Sequence, residues 1–352
     1  MLDFVSADYR FHLEPWYDFI SRNGGMAALR HRFSNYAPLY LYFLTLMATW
    51  FAWVPKLYAI KLISVAFDVV GAVYALRIVR LRRPRSSAAL WAYAAVLLAP
   101  TVVVNSSQWG QADMICTSLL LACLYYLMRK RGLPAMICFG LAFSIKLQAV
   151  VLGPLIAILV LGGQIRRMEL LAVPAVYVAT VIPAWLQGRS FWDLLAIYVG
   201  QAEQYRGLTF NAPNLYQWIP NTLYEPVYPL GLVVTAGVVV GLVVSVHVHK
   251  PEMTMGRILD IAVLCAVVVP FLLPKMHERY FFTADVVSIV FAFFRPRFWW
   301  VPVTIGASSY LAYFPFLYLS MPVPLGWVAL GLFGVIVVLA HSLWGEIKGV
   351  RG

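Results

Sequence analysis

Long apolar stretches separated by short polar ones run the length of the chain, with no soluble domain or linker between them. Eleven such segments fall at about 57–80, 87–105, 112–128, 133–149, 150–163, 168–186, 229–248, 257–274, 280–294, 298–316 and 324–343. Most approach or exceed the ~20 residues that cross a bilayer as a helix. In hydrocarbon, only helices and closed barrels satisfy every backbone polar group. The pattern therefore predicts an all-α, polytopic membrane protein. The stretch 133–163 is interrupted by Lys146-Leu147-Gln148 and by Gly153-Pro154, so it reads as a hairpin of two short helices.

Composition agrees with that pattern. Of 352 residues, 62% are hydrophobic and 12% charged, against about a quarter charged in soluble domains. The net charge of +12 does not point to nucleic acid, because many of the basic residues sit in short loops between apolar segments. They are Arg77 with Arg80 to Arg85, Arg129-Lys130-Arg131, Arg166-Arg167, His249-Lys250 with Arg257, Arg295 with Arg297, and Lys348 with Arg351. Placing all of them in the cytoplasm satisfies the positive-inside rule. Cys116, Cys123, Cys138 and Cys265 lie inside apolar stretches without CxxC spacing, which suggests packing residues and neither a disulfide framework nor a zinc site.

The same parity exports residues 1–56, 106–111, 187–228, 275–279 and roughly 317–323. The aromatic, apolar segment 37–54 cannot be a full span without inverting everything downstream. It is predicted to be an interfacial or re-entrant helix on the outer leaflet. Residues 1–352 then form one transmembrane domain, with 1–56 as an external loop and 57–343 as the bundle. Arg22, Arg30 and Arg32 run against the charge rule by lying outside. The exported N-terminus has no apolar segment before it, so a first transmembrane helix is expected to be missing ahead of residue 1.

Four polar clusters fall on the exported side: Asp8 through Asp18, Gln108-Trp109-Gly110-Gln111 with Asp113, Asn211-Ala212-Pro213-Asn214, and Lys275-Met276-His277-Glu278-Arg279. Polar residues near hydrocarbon are functional candidates by default. Asp8 is a candidate general base; the alternative is a solvated juxtamembrane loop anchored by Trp16 and Tyr17. Lys275, His277 and Arg279 offer three potential cations in five residues, a ready phosphate clamp, unless they only snorkel into headgroups. Lys146 either meets an anion or pairs with Asp68, the lone acid of its helix. Asp113 suits a first helical turn, and Trp109 offers a surface for stacking on a sugar or for anchoring at the interface. Trp192, Tyr205, Arg206, Asn211, Asn214, Tyr216 and Trp218 form either a carbohydrate surface or a packed covering loop.

In order along the chain, these residues resemble the GT-C superfamily of polyprenyl-phosphate-sugar glycosyltransferases, which includes dolichyl-phosphate-mannose and -glucose transferases, GPI mannosyltransferases and bacterial relatives. The matching patterns are Asp8 with Pro15-Trp16-Tyr17-Asp18, Trp109-Gly110-Gln111 with Asp113, Lys146 with Gln148, Asn211 to Asn214, and Met276 to Tyr280. Ser34 to Tyr40 resembles the family's Tyr-Pro-Pro-Leu stretch, with Ala37 in place of the first proline.

The resemblance implies a GT-C-like helical bundle with external juxtamembrane helices, in a bacterial inner or plasma membrane with its site facing outside. It implies Asp8 as catalytic base and Lys146 near the donor phosphate. His277, Glu278 and Arg279 are implied to contact donor or acceptor. Lys275, Trp109, Gln111, Asp113, Asn211 and Asn214 complete the expected substrate-binding set. The family normally carries a transmembrane helix before this aspartate. The partners expected are a polyprenyl-phosphate-linked hexose, with mannose or glucose foremost, a glycan or glycolipid acceptor and membrane lipids. No nucleic acid, metal or cofactor is called for. A transporter or flippase for lipid-linked sugar is the rival reading, although no internal repeat supports it. An assembly factor without catalysis is a third.

Overall fold

The computed structural model describes residues 1–203 and 205–349; Arg351 lies outside them. Two short helices open the chain, α1 (Glu14–Arg22) and α2 (Pro38–Trp50). The bundle follows as α3 (Lys56–Arg82), α4 (Ala88–Leu97), α5 (Pro100–Val103), α6 (Asp113–Met128), α7 (Gly132–Ile145), α8 (Gly153–Leu161) and α9 (Ala172–Leu186). After α10 (Phe191–Leu195) and α11 (Ile197–Glu203) it resumes with α12 (Tyr224–His249), α13 (Met255–Leu272), α14 (Phe282–Phe294), α15 (Trp300–Leu317) and α16 (Leu325–Ile347). Two-residue strands β1 (Thr209–Phe210) and β2 (Met276–His277) pair in parallel between the loops.

The apolar segments of the sequence reappear one for one. Among the described residues, five helices are individually long and apolar enough to cross a membrane, and a sixth span forms if α4 is joined to Pro100–Trp109 across a 43° bend. Others are shorter, α6 having 16 residues and α7 14, which at 1.5 Å per residue is about 24 and 21 Å. The anticipated hairpin is present: α7 stops before Lys146, which is extended at φ −148° and ψ 140°, and the chain re-enters through a 3₁₀ turn, Leu147–Leu152, into α8. Proline at the first turns of α2, α5 and α8 marks three of the starts.

Polar contacts separate the two ends of the bundle. At one end two of the basic connectors meet: Arg295 bonds Asp260 at 2.5 Å and Glu346 at 2.9 Å, and Arg82 donates to the Phe294 carbonyl at 2.5 Å. The end of α3, the start of α13, the α14–α15 connection and the end of α16 thus meet at this end. The other end holds the four polar clusters.

Helix α2 stays at that second end. Tyr36, just before it, lies beneath Lys146, and near its far end the Met47 carbonyl accepts from Tyr17 of α1. Midway along, Tyr42 donates to the Thr180 carbonyl at 2.8 Å. Trp50 and Trp53, both largely exposed, follow at the turn into α3. Helices α6, α13 and α14 are buried on nearly every face, whereas α12 buries only Gly231, Thr235 and Val246 and forms the periphery.

Candidate active site

Asp8 caps a π-helical turn, Tyr9–Leu13, in which the Ser6 hydroxyl accepts from the Tyr9 amide. The Ser6 hydroxyl also donates to the Trp109 carbonyl at 3.2 Å. Below it, the Lys61 ammonium is wholly buried and donates to the carbonyls of Leu2 and Phe4, each at 2.7 Å. Serine and lysine together fix the N-terminal segment against the 104–111 turn. That turn ends at Gly110, whose φ of +81° is left-handed and suits glycine. The reversal sends the Gln111 carbonyl to the Ser64 hydroxyl at 2.6 Å and the Gln111 side chain toward Asp8.

Three donors converge on one oxygen of Asp8. Its Oδ2 accepts from Trp109 Nε1 at 2.9 Å and Gln111 Nε2 at 2.6 Å, and lies 3.7 Å from the Arg279 guanidinium. No described residue bonds Oδ1. Arg279 in turn donates to Gln111 Oε1 and, at 3.1 Å, to Glu278, while its guanidinium lies 5.0 Å over the Trp109 ring. Lys146 bonds Asp113 at 2.7 Å and sits 5.7 Å from the Tyr36 ring centre; Asn105 donates to the other Asp113 oxygen at 2.9 Å. Asp68, the alternative partner for Lys146, instead accepts from Ser106 at 2.7 Å.

The 275–279 loop is held by strand pairing: the Lys275 amide donates to the Leu208 carbonyl and the Glu278 amide to the Phe210 carbonyl. His277 is stacked on Phe210 with ring centres 4.8 Å apart and is edged by Tyr205. Burial, reinforced by nearby Arg279, pushes its pKa down to about 4. That environment favours the neutral imidazole, so Lys275 and Arg279 are the loop's permanent cations. Of those, Lys275 lies 5.1 Å over Tyr228, leaving Arg279 as the cation beside Asp8. Burial pushes the Glu278 carboxyl up although Arg279 pulls the other way.

A cavity of about 380 Å³ opens beside these groups. Of the residues singled out from sequence, Asp8, Gln111, Lys146, Lys275, His277 and Arg279 line it, and Trp109, Asp113, Glu278, Asn211 and Asn214 do not. Trp109 has no exposed surface, with Phe316 stacked at 5.1 Å on its ring, so it cannot serve as a sugar platform and acts as a donor to Asp8. Asp113 is buried as the counter-charge of Lys146. Asn214, wholly buried, accepts from the Tyr216 amide and donates to the Leu273 carbonyl, and Asn211 at φ +57° bridges to His277. These two shape the loop under His277 instead of meeting the cavity.

Sequence reasoning missed Asn105 and the Phe210 platform. The first carries no signal apart from its place five residues before Gly110, and the second depends on a strand pairing 67 residues away in sequence. It also left His12 and Tyr36 without a role, and both line the cavity. The cavity's other half is apolar, with Val150, Val151, Leu232 and Val269 supplied by the 147–152 turn, α12 and α13. Among the described residues, no group of three or more His, Cys, Asp or Glu is placed to hold a metal ion.

Comparison with known proteins agrees with this architecture. ArnT from Cupriavidus metallidurans, solved bound to undecaprenyl phosphate, aligns over 99% of this chain and 70% of its own at 14% identity and a TM-score of 0.59. Its apo state gives a TM-score of 0.55 at 16% identity, over 96% of this chain and 69% of that one. At such identity the likeness establishes the fold, which is of GT-C type. No curated protein sequence matches the chain significantly. The sequence model of glycosyltransferase family 87 matches residues 35–274, about two thirds of the chain. The chain is thus an integral membrane glycosyltransferase of GT-C type and belongs to glycosyltransferase family 87.

Proposed function

We propose that the protein moves a hexose, mannose or glucose, from a polyprenyl-phosphate sugar to a glycan or glycolipid acceptor, at the extracytoplasmic face of a bacterial membrane and with inversion. The carrying observation is that one cavity joins Asp8, Arg279 and Lys146 to an apolar cleft beside α12. A phosphate-linked sugar on a prenyl chain has that polarity. The peripheral position of α12 gives a lipid tail a route from the bilayer into the cleft. The ArnT structure with undecaprenyl phosphate lends support through the shared fold.

The reaction is a single displacement. Oδ1 of Asp8 takes the acceptor hydroxyl proton as the acceptor oxygen bonds the anomeric carbon. The bond from that carbon to the phosphate oxygen breaks, and its electron pair leaves with polyprenyl phosphate. The phosphate gains one negative charge, which Arg279 and Lys146 stabilise from fixed positions. The leaving group is already an anion, so no general acid is needed.

Sugar transfer from synthetic polyprenyl-phosphate-mannose and -glucose tests the assignment. Asp8→Asn should lower turnover by about 10²-fold or more. Turnover near wild type in a folded Asp8→Asn protein removes Asp8 as base.

A further inference from the structure

A second cavity, of about 490 Å³, lies beside the first at the same end of the bundle. Asn35 and Gln201 line both, and Gln201 Nε2 donates to the Asn35 carbonyl at 2.6 Å, forming part of the partition. Among the described residues, the remaining wall includes two arginines, Arg32 and Arg189, and no acidic residue.

Arg189 is unusual. It follows Gly188, which turns at φ +103°, and its side chain folds inward until only 5% of the residue is exposed. Among the described residues, neither its Nε nor its Nη1 has a hydrogen-bond acceptor. Burial and the like charge of Arg32 disfavour its ionised form, against some attraction from Asp193. A buried cation with idle donors destabilises a fold, and nearly all buried polar groups find partners. The acceptors are therefore to be sought in a ligand.

We propose that Arg189 and Arg32 form an anion subsite that takes a phosphate-type oxyanion carried by the acceptor. The proposal rests on the glycosyl-transfer reading and adds to it the chemical class of the acceptor. The planar guanidinium fork matches phosphate oxygens bidentately, and a second guanidinium beside it matches further negative charge. The shared wall of Asn35 and Gln201 places this anion next to the donor cavity. Exposed Trp185 and Trp192 flank the segment, as aromatic residues do at headgroup level. The subsite also gives a reason for Arg32 to lie opposite the basic end of the bundle.

The test uses the full chain in neutral phosphatidylcholine nanodiscs with radiolabelled dodecyl phosphate as probe. Binding should persist in Arg279→Gln and weaken on the order of tenfold or more when Arg189→Gln is added, with part restored by Arg189→Lys. Displacement by inorganic phosphate assigns a soluble phosphate, and displacement only by phosphatidylglycerol in the disc assigns a lipid-borne one. Displacement by neither, or unchanged binding in the double variant, overturns the subsite. The Arg189→Gln melting midpoint should hold or rise, since an unpaired buried charge is removed; a fall of several degrees marks a structural arginine and also overturns it. Probe binding that depends on Arg189, in a protein that moves neither mannose nor glucose, refutes the proposed hexose transfer and leaves the subsite standing. Sugar transfer with Arg189-independent binding refutes the subsite alone.

Discussion

The indole Nε1 of Trp109 donates to Oδ2 of Asp8 at 2.9 Å, across 101 residues of sequence. Because Gln111 and Arg279 address the same oxygen, the carboxylate is fixed through one oxygen, and the other carries no bond from a described residue. A base held in this way keeps its orientation when the acceptor arrives, which limits the loss of orientation that a mobile carboxylate suffers.

Trp109→Phe tests that contact. Phenylalanine keeps a ring against Tyr313 and Phe316 and removes the Nε1 donor together with part of the buried ring volume. A hydrogen bond to a charged group contributes about 1.5–3 kcal/mol. Turnover should therefore fall by roughly tenfold to a hundredfold while KM for the donor changes little. Steady-state kinetics check this, and an effect confined to KM would place the indole in donor binding instead.

Lys146 and Asp113 call for a paired experiment. Lys146→Met leaves the buried Asp113 carboxylate without its cation, a loss of about 3–5 kcal/mol for a buried pair. Adding Asp113→Asn removes the stranded charge and should recover most of the melting temperature. Activity should stay low in the double variant, because the cation facing the cavity is still absent. Recovery of both stability and turnover would make the pair purely structural.

His277 gives a pH signature. Its folded pKa is about 4, against about 6.5 in the unfolded chain. Between those values the unfolded state binds more protons, so stability rises with pH across that window and falls as pH drops through it. His277→Phe, which preserves stacking on Phe210, should flatten the rise in melting temperature between pH 4.5 and 6.5. An equal slope in both proteins would show that His277 does not titrate as buried.

Much of the bundle was legible because its cause is local. Every apolar segment became helical, and the break at Lys146 fell between Ile145 and Leu147. The residues of the site were legible as a set, but their partners were not. Lys146 chose Asp113 over Asp68, Trp109 turned its ring inward, and His277 stacked on a platform from a distant loop.

By itself the sequence determined an all-α membrane bundle, the alternation of its segments and the order of its polar clusters. Hydrocarbon imposes these through each segment's own length and polarity. Only the tertiary structure decided which oxygen of Asp8 is held and which residues reach the cavity. It also decided that Arg189 is buried with Nε and Nη1 lacking an acceptor among the described residues. Those outcomes depend on packing between segments far apart in the chain, where burial and a few ångströms of separation set each group's charge and partner.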